Sequence, residues 1–299
     1  MEVPVIDFQQ LKNKEEKELK KLREACERCG CFRITNHTVP ETLMAEMKLV
    51  AKYLHELPVE IKKLNKSVYP ETGYRPPSEV SPVYEGLGLY DIHKSPQAVH
   101  DFCSQLGVPP KHRETIEAYG QAISELATSI SQKMAESLGV VGIDFKDWPL
   151  FFRIIKYSFS AENIGSPGIP IHTDTGYMTV LQDDEKVEGL EAKDHSGSFK
   201  AVLPHPGSFL CIIGDVGHIW SNGRFHNVTH RVLSKEPVTR FTLGVFMLSP
   251  RDGKVDTPME LVDLDHPRLY RPFIYEDMRQ FRVSRRGELA EFLANIANV

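Results

Sequence analysis

Between Phe151 and Phe246 the chain is built from short runs of β-branched and aromatic residues, FFRIIKYSF, YMTVLQ, SFLCIIGD and RFTLGVFML, cut apart by Gly, Asp, Asn and Pro. Many short strands with turn signals between them leave few solutions: a sandwich, a jelly roll or a barrel. The flanking sequence has another texture. In EKELKKLREACERCG, Leu19, Leu22, Cys26 and Cys29 recur at helical spacing, and Gly30 follows as a C-cap. CFRITNH then reads as a strand, and a helix opens at Pro40. A long amphipathic helix is expected from His112 to Leu138, with Ile116, Tyr119, Ile123, Leu126, Ile130, Met134 and Leu138 as its buried stripe. Residues 66 to 97 hold several Pro and Gly without a period and read as a long functional loop. DLDHPRLYRPFIYEDMRQF and GELAEFLANIA return to helix. No repeat, low-complexity segment or clean linker divides the chain, so the expectation is one domain with a β core wrapped by helices.

Composition removes some function classes. With 41% hydrophobic and 26% charged residues the chain reads as soluble and globular. A formal net charge of -5 gives nucleic-acid binding no support. No apolar run is long enough to span a bilayer, and MEVPVIDF lacks the shape of a signal peptide. Five cysteines, an odd number, argue against a disulfide framework and for a reducing compartment, with the cytoplasm as the default.

The chemistry concentrates in IPIHTDTGYMTVLQDD, where His172 and Asp174 stand two apart. If this is a strand, its period of two aims both side chains into one cavity. Two ligands hold a metal poorly, and GRFHNVTHRVL offers a third in His230. Two imidazoles and one carboxylate on one face of a metal leave positions open for substrate and O₂, the facial triad of non-haem Fe(II) oxygenases. A chance H-x-D is cheap among 12 histidines. His218 and His226 compete for the third place, and His226 shares the parity of His230, so local pattern does not separate them. Zinc hydrolysis is the rival chemistry for such a triad. A second rival site, Cys26, Cys29, Cys31 and His37, lacks paired zinc spacing, and its thiols fit better as small buried hydrophobes.

Downstream, Arg240 and Thr242 in RFTLGVF again share a strand face, continued by Gly244 and Phe246. A guanidinium beside a hydroxyl makes a carboxylate clamp, which a hydrolase would not need. Tyr157 can add a second hydroxyl. The same parity nominates Pro170, Ile155 and Phe246 as an apolar wall for a flat ring. Arg75, in GYRPP, is the nominee for the cation that meets an acidic substrate.

With these residues in view, the chain resembles the plant 2-oxoglutarate- and Fe(II)-dependent dioxygenases nearly end to end. VPVIDF is similar to that family's opening strand, and CGCFRITNHTVP to its Gly-Phe-Phe…Asn-His-Gly-Val segment, with Thr38 in place of Gly. IHTDTGYMTVLQDDEKVEGLEAKD carries the His-x-Asp, and GDVGHIWSNGRFHNVTHRVL resembles the segment of the distal histidine, which selects His230. RFTLGVFMLSP matches Arg-x-Ser with Thr242 for Ser, and RIIKYSF matches Asn-Tyr-Tyr only at Tyr157, with Ile155 where Asn is common. GYRPPSEVSPVYEGLGLYDIH, LMAEMK and DHPRLYRP resemble one branch, the dioxygenases for auxin oxidation.

The resemblance implies a double-stranded β-helix core, a jelly roll, over 151–250 with the metal site. Around it stand a mainly helical part, 1–150, and a helical segment, 251–299. It implies Fe(II) on His172, Asp174 and His230, and 2-oxoglutarate with its far carboxylate on Arg240, Thr242 and Tyr157. Ascorbate is the supporting reductant. O₂ and indole-3-acetic acid are the remaining reactants, and 2-oxindole-3-acetic acid the product. The same chemistry on a gibberellin or phenolic acid, and a non-catalytic auxin sensor, stay open as alternatives. Oligomeric state is not legible.

Overall fold

The computed structural model describes residues 2–66, 72–93, 96–250, 253–285 and 289–297, with side chains omitted at 96, 283–285 and 289–291. Eleven strands form its centre: β1 Val5–Asp7, β2 Cys31–Thr35, β3 Tyr84–Tyr90, β4 Leu150–Tyr157, β5 Pro167–His172, β6 Met178–Gln182, β7 Leu190–Lys193, β8 Phe199–Ala201, β9 Phe209–Ile213, β10 His230–Leu233 and β11 Arg240–Met247. They make a seven-stranded sheet in the order β1-β2-β9-β6-β11-β4-β3, and a four-stranded sheet in the order β5-β10-β7-β8. Only the β1–β2 pair is parallel. The two sheets are the halves of the jelly roll.

Both faces of the large sheet are covered, which is why its strands read as near-continuous apolar runs rather than alternating ones. Leu87, Ile154, Leu243, Val245 and Cys211 join a core with Tyr119, Ile123, Leu126 and Ile130 of the helix Pro110–Ser137 and Met47, Val50 and Leu54 of the helix Glu41–Glu56. The other face holds Tyr84, Ile155, Tyr157, Leu210 and Ile212, packed with Leu190, Ala192, Val228 and Val232 around the smaller sheet. Each fully buried aliphatic or aromatic side chain of this kind contributes roughly 1.5–3 kcal/mol. The sheet is thus a rigid wall for whatever lies between the halves.

Three local expectations change. The segment 66–97 is no continuous loop, because Tyr84–Tyr90 forms β3 in full register with β4. Gly86 and Gly88 erased the strand pattern, yet they are needed there: a Cβ at Gly88 would stand 2.0 Å from the Thr72 carbonyl oxygen. Residues 67–71, 94 and 95 of that segment lie outside the described residues. The stretch 263–281 is helical only from Tyr275, because Pro267 and Pro272 interrupt its first part. The helix before β2 widens into a π-helix at Ala25–Cys29, which Gly30 closes at φ 70. A side chain at Gly30 would meet the His226 carbonyl oxygen at 2.3 Å, so this glycine is fixed by both φ and contact. No helix among the described residues is long and apolar enough to cross a membrane.

Candidate metal and cosubstrate site

His172 and His230 face each other directly across the antiparallel β5–β10 pair, with ring centroids 4.2 Å apart. Asp174 does not lie in the strand, as alternation supposed. β5 ends at His172, and Asp174 sits in the turn that follows. The turn returns its carboxylate to the histidines: Oδ1 is 3.5 Å from His172 Nε2 and 3.8 Å from His230 Nε2. Among the described residues, this trio is the one group of three or more potential ligands within 4.8 Å of one another.

The donor set fits a divalent metal atom by atom. His172 Nδ1 lies 2.8 Å from the Pro170 carbonyl, and His230 Nδ1 lies 3.1 Å from that of Val228. Those bonds assign the proton to Nδ1 and leave both Nε2 lone pairs for a metal. Thr179 donates to Asp174 Oδ2 at 2.5 Å, which leaves Oδ1 toward the imidazoles. Burial pushes the Asp174 carboxyl up, but His230, His172 and Thr179 outweigh it and hold the group well below the carboxylate range. Burial and the neighbouring His172 push His230 down to about 4 against the pull of Asp174. The ligands are therefore an anion and a neutral imidazole at neutral pH, the forms a metal binds.

The competitors fall elsewhere. His218 Nδ1 lies 2.6 Å from the Phe225 carbonyl and its Nε2 lies 3.0 Å from the Tyr270 hydroxyl. His226 is exposed, and its backbone N–H donates to Cys26. Cys26, Cys29, Cys31 and His37 form no ligand cluster; Cys26 and Cys31 are buried thiols, and Cys29 is half-buried.

Arg240 and Thr242 do share the inner face of β11, both 1% exposed, with Tyr157 opposite Arg240 in register and Ile155 opposite Thr242. The Arg240 guanidinium stands 5.1 Å from the centre of the Tyr157 ring. Its Nη2 pairs with Asp183 and its Nε donates to the Val187 carbonyl at 3.3 Å. The group is thus clamped on two edges and keeps Nη1 for a ligand. The Thr242 hydroxyl is buried beside the Tyr157 phenol without a well-formed hydrogen bond, which a ligand carboxylate would supply. Asp183, missed in the sequence, also approaches Arg33 at 3.5 Å.

The expected substrate wall is only partly assembled. Ile155 belongs to the inner cluster, and Phe246 stacks on Phe151 with centroids 5.8 Å apart. Pro170 is exposed; its contribution is the carbonyl that orients His172. On β5 the inward contact is made by Gly168, where a Cβ would meet the Tyr157 ring at 2.7 Å. The Arg75 side chain is exposed, while its backbone exchanges hydrogen bonds of 2.7 and 2.9 Å with Gly86. A buried cation, Arg153, shares the inner face with Ile155 and Tyr157 and donates to the Gly73 carbonyl at 3.1 Å. The period-two parity of RIIKY could have found it.

Two family models match. Residues 3–118 fit the N-terminal domain described for a non-haem dioxygenase in morphine synthesis, and residues 149–249 fit the 2OG-Fe(II) oxygenase superfamily. The chain is 46% identical over 281 residues to the 2-oxoglutarate-dependent dioxygenase DAO of Oryza sativa, covering 94% of this chain and 93% of that one. It is 30% identical to a probable 2-oxoglutarate-dependent dioxygenase, AOP1, of Arabidopsis thaliana, covering 97% and 94%. The crystal structure of the dioxygenase for auxin oxidation in rice superposes with a TM-score of 0.91 at 44% identity, over 99% of this chain and 100% of that one. A 2-oxoglutarate binary complex of the Arabidopsis thaliana dioxygenase for auxin oxidation 1 gives 0.84 at 47% identity, over 89% and 100%. An enzyme that uses Fe(II) and the cosubstrate 2-oxoglutarate, this chain belongs to the plant 2-oxoglutarate- and Fe(II)-dependent dioxygenases.

Proposed function

We propose that the protein oxidises indole-3-acetic acid to 2-oxindole-3-acetic acid and so inactivates the hormone. The observation that carries this reading is the match over most of the chain to the rice and Arabidopsis thaliana dioxygenases for auxin oxidation. The metal would rest on Nε2 of His172, Nε2 of His230 and Oδ1 of Asp174. When bound, iron and 2-oxoglutarate supply the oxidising power, with O₂ consumed and succinate and CO₂ released. The chain's own residues bind, orient and exclude water. Arg240 Nη1 and the Thr242 hydroxyl receive the far carboxylate of 2-oxoglutarate, and Tyr157 closes that end. Burial pushes the Tyr157 phenol above its ordinary range, so it stays a neutral hydrogen-bond donor. Ile155 and Phe246 give the indole an apolar surface. Arg75 at the mouth, with Arg153 behind it, supplies positive charge for the substrate carboxylate.

One domain over the whole chain is supported by a core that includes Ile6, Tyr119, Val245 and Phe292. Five unpaired thiols support a cytoplasmic location. The test is a substrate panel under Fe(II), ascorbate, 2-oxoglutarate and O₂. Turnover of indole-3-acetic acid well above that of gibberellins and phenolic acids supports the reading. A gibberellin or phenolic acid turned over faster replaces the substrate, and tight auxin binding without product replaces the enzyme by a sensor.

A further inference from the structure

Beside the segments that carry the three candidate ligands lies a carboxylate that joins their supports. Asp215 is 0% exposed. Its backbone N–H donates to the Asp174 carbonyl at 2.7 Å. Asn227, three residues before His230, donates from Nδ2 to Asp215 Oδ1 at 3.0 Å. Asp215 Oδ2 is paired with Arg282 of the helix Tyr275–Arg285. Arg282 also donates from Nη2 to the carbonyl of Thr173, the residue between His172 and Asp174, at 3.3 Å. One ion pair therefore connects the turn that carries Asp174, the segment that leads to His230, and a helix from the far end of the chain.

On the reading that His172, Asp174 and His230 hold the iron, we propose that Arg282 is a positioning residue for the metal centre, acting through Asp215 and the Thr173 carbonyl. The physical reason is charge. A fully buried carboxylate keeps its place only while a cation and hydrogen bonds compensate it. Without Arg282, Asp215 loses its ion-pair partner and the turn loses the bridge to the Thr173 carbonyl, so the hold on Asn227 and on the Asp174 backbone loosens. Groups that fix ligands from behind typically govern metal affinity by about 10- to 100-fold. Linkage makes the effect mutual: metal that prefers the ordered turn also favours the docked C-terminal helix.

Arg282 has a partly exposed side chain, so its replacement removes no fully buried packing, although it leaves Asp215 without its cation. The experiment titrates Co(II) into metal-depleted wild type, Arg282→Met and Arg282→Lys, and also follows amide exchange over residues 275–282. The expected result is a Kd for Co(II) raised about tenfold in Arg282→Met, with part of the loss restored in Arg282→Lys. Added Co(II) should slow exchange in that helix in wild type and not in Arg282→Met. An unchanged Kd with only a lower Tm would assign Arg282 a structural role and overturn the proposal. So would wild-type exchange that ignores the metal, a readout that stands even if a variant fails to fold. Failure of the triad itself would look different: wild type would then bind no stoichiometric metal.

Discussion

Arg240→Lys isolates the geometry of the cosubstrate clamp from its charge. In the protein, Arg240 spends Nη2 on Asp183 and Nε on the Val187 carbonyl, and keeps Nη1 for a ligand. Lysine has one nitrogen for all three tasks. Asp183 is 5% exposed at its side chain, and its second neighbour, Arg33, stands at 3.5 Å, so the lysine ammonium must stay with Asp183 to neutralise it. The fold then survives while the ligand carboxylate loses one charge-assisted hydrogen bond, worth about 1.5–3 kcal/mol. At about 1.4 kcal/mol per decade, 2-oxoglutarate should bind roughly 10- to 100-fold more weakly. The assay is anaerobic titration of 2-oxoglutarate into the metal-loaded variant, with Tm as the control for folding. A Kd equal to wild type would show that charge alone suffices, and would refute the role assigned to the fork.

Gly168→Ala places a methyl 2.7 Å from the Tyr157 ring and 3.1 Å from Val232. Overpacking of this kind costs about 1–3 kcal/mol, and calorimetry should show both a lower Tm and a higher Kd for 2-oxoglutarate. His230 gives a pH dependence: its folded pKa, about 4, lies below the ordinary 6.5. Between those values the unfolded chain takes a proton that the folded one refuses, so metal-free protein should lose stability as pH falls from about 6.5 towards 4. Urea titrations that show rising stability over that fall would contradict the assignment. Glu85 accepts from Lys62 at 2.6 Å and from Tyr74 at 2.7 Å. Burial raises its carboxyl, yet His55, Lys62 and Tyr74 hold it down to about 2. Glu85→Gln leaves Lys62 buried without its anion and should cost about 3–5 kcal/mol in stability, while the Kd for 2-oxoglutarate changes little.

Residues whose placement follows from strand parity were legible in the sequence. Arg240, Thr242 and Tyr157 meet because β4 and β11 pair in register, and a period of two predicts their shared face. His172 and Asp174 also meet, but a turn brings the carboxylate back, so the local reason was wrong although the pair was right. Parity could not separate His226 from His230, because the strand begins only at His230 and the residues before it lie in no regular element. β3 was hidden by Gly86 and Gly88, whose purpose is close approach rather than packing of side chains. The sequence pattern singled out neither Asp183 nor Asp215. Their burial depends on Arg33, Arg240 and Arg282, partners 57 to 150 positions away, and no local pattern reports such a distance.

The most direct measurement supplies purified protein with Fe(II), 2-oxoglutarate, indole-3-acetic acid and isotopically labelled O₂, and follows succinate and the indole by mass spectrometry. One labelled oxygen atom in the indole product and one in succinate, formed in equal amounts and abolished by His172→Ala or His230→Ala, is the predicted result. Succinate without an oxidised indole would contradict the substrate. An oxidised indole that persists in the variants would contradict the metal site on which the account rests.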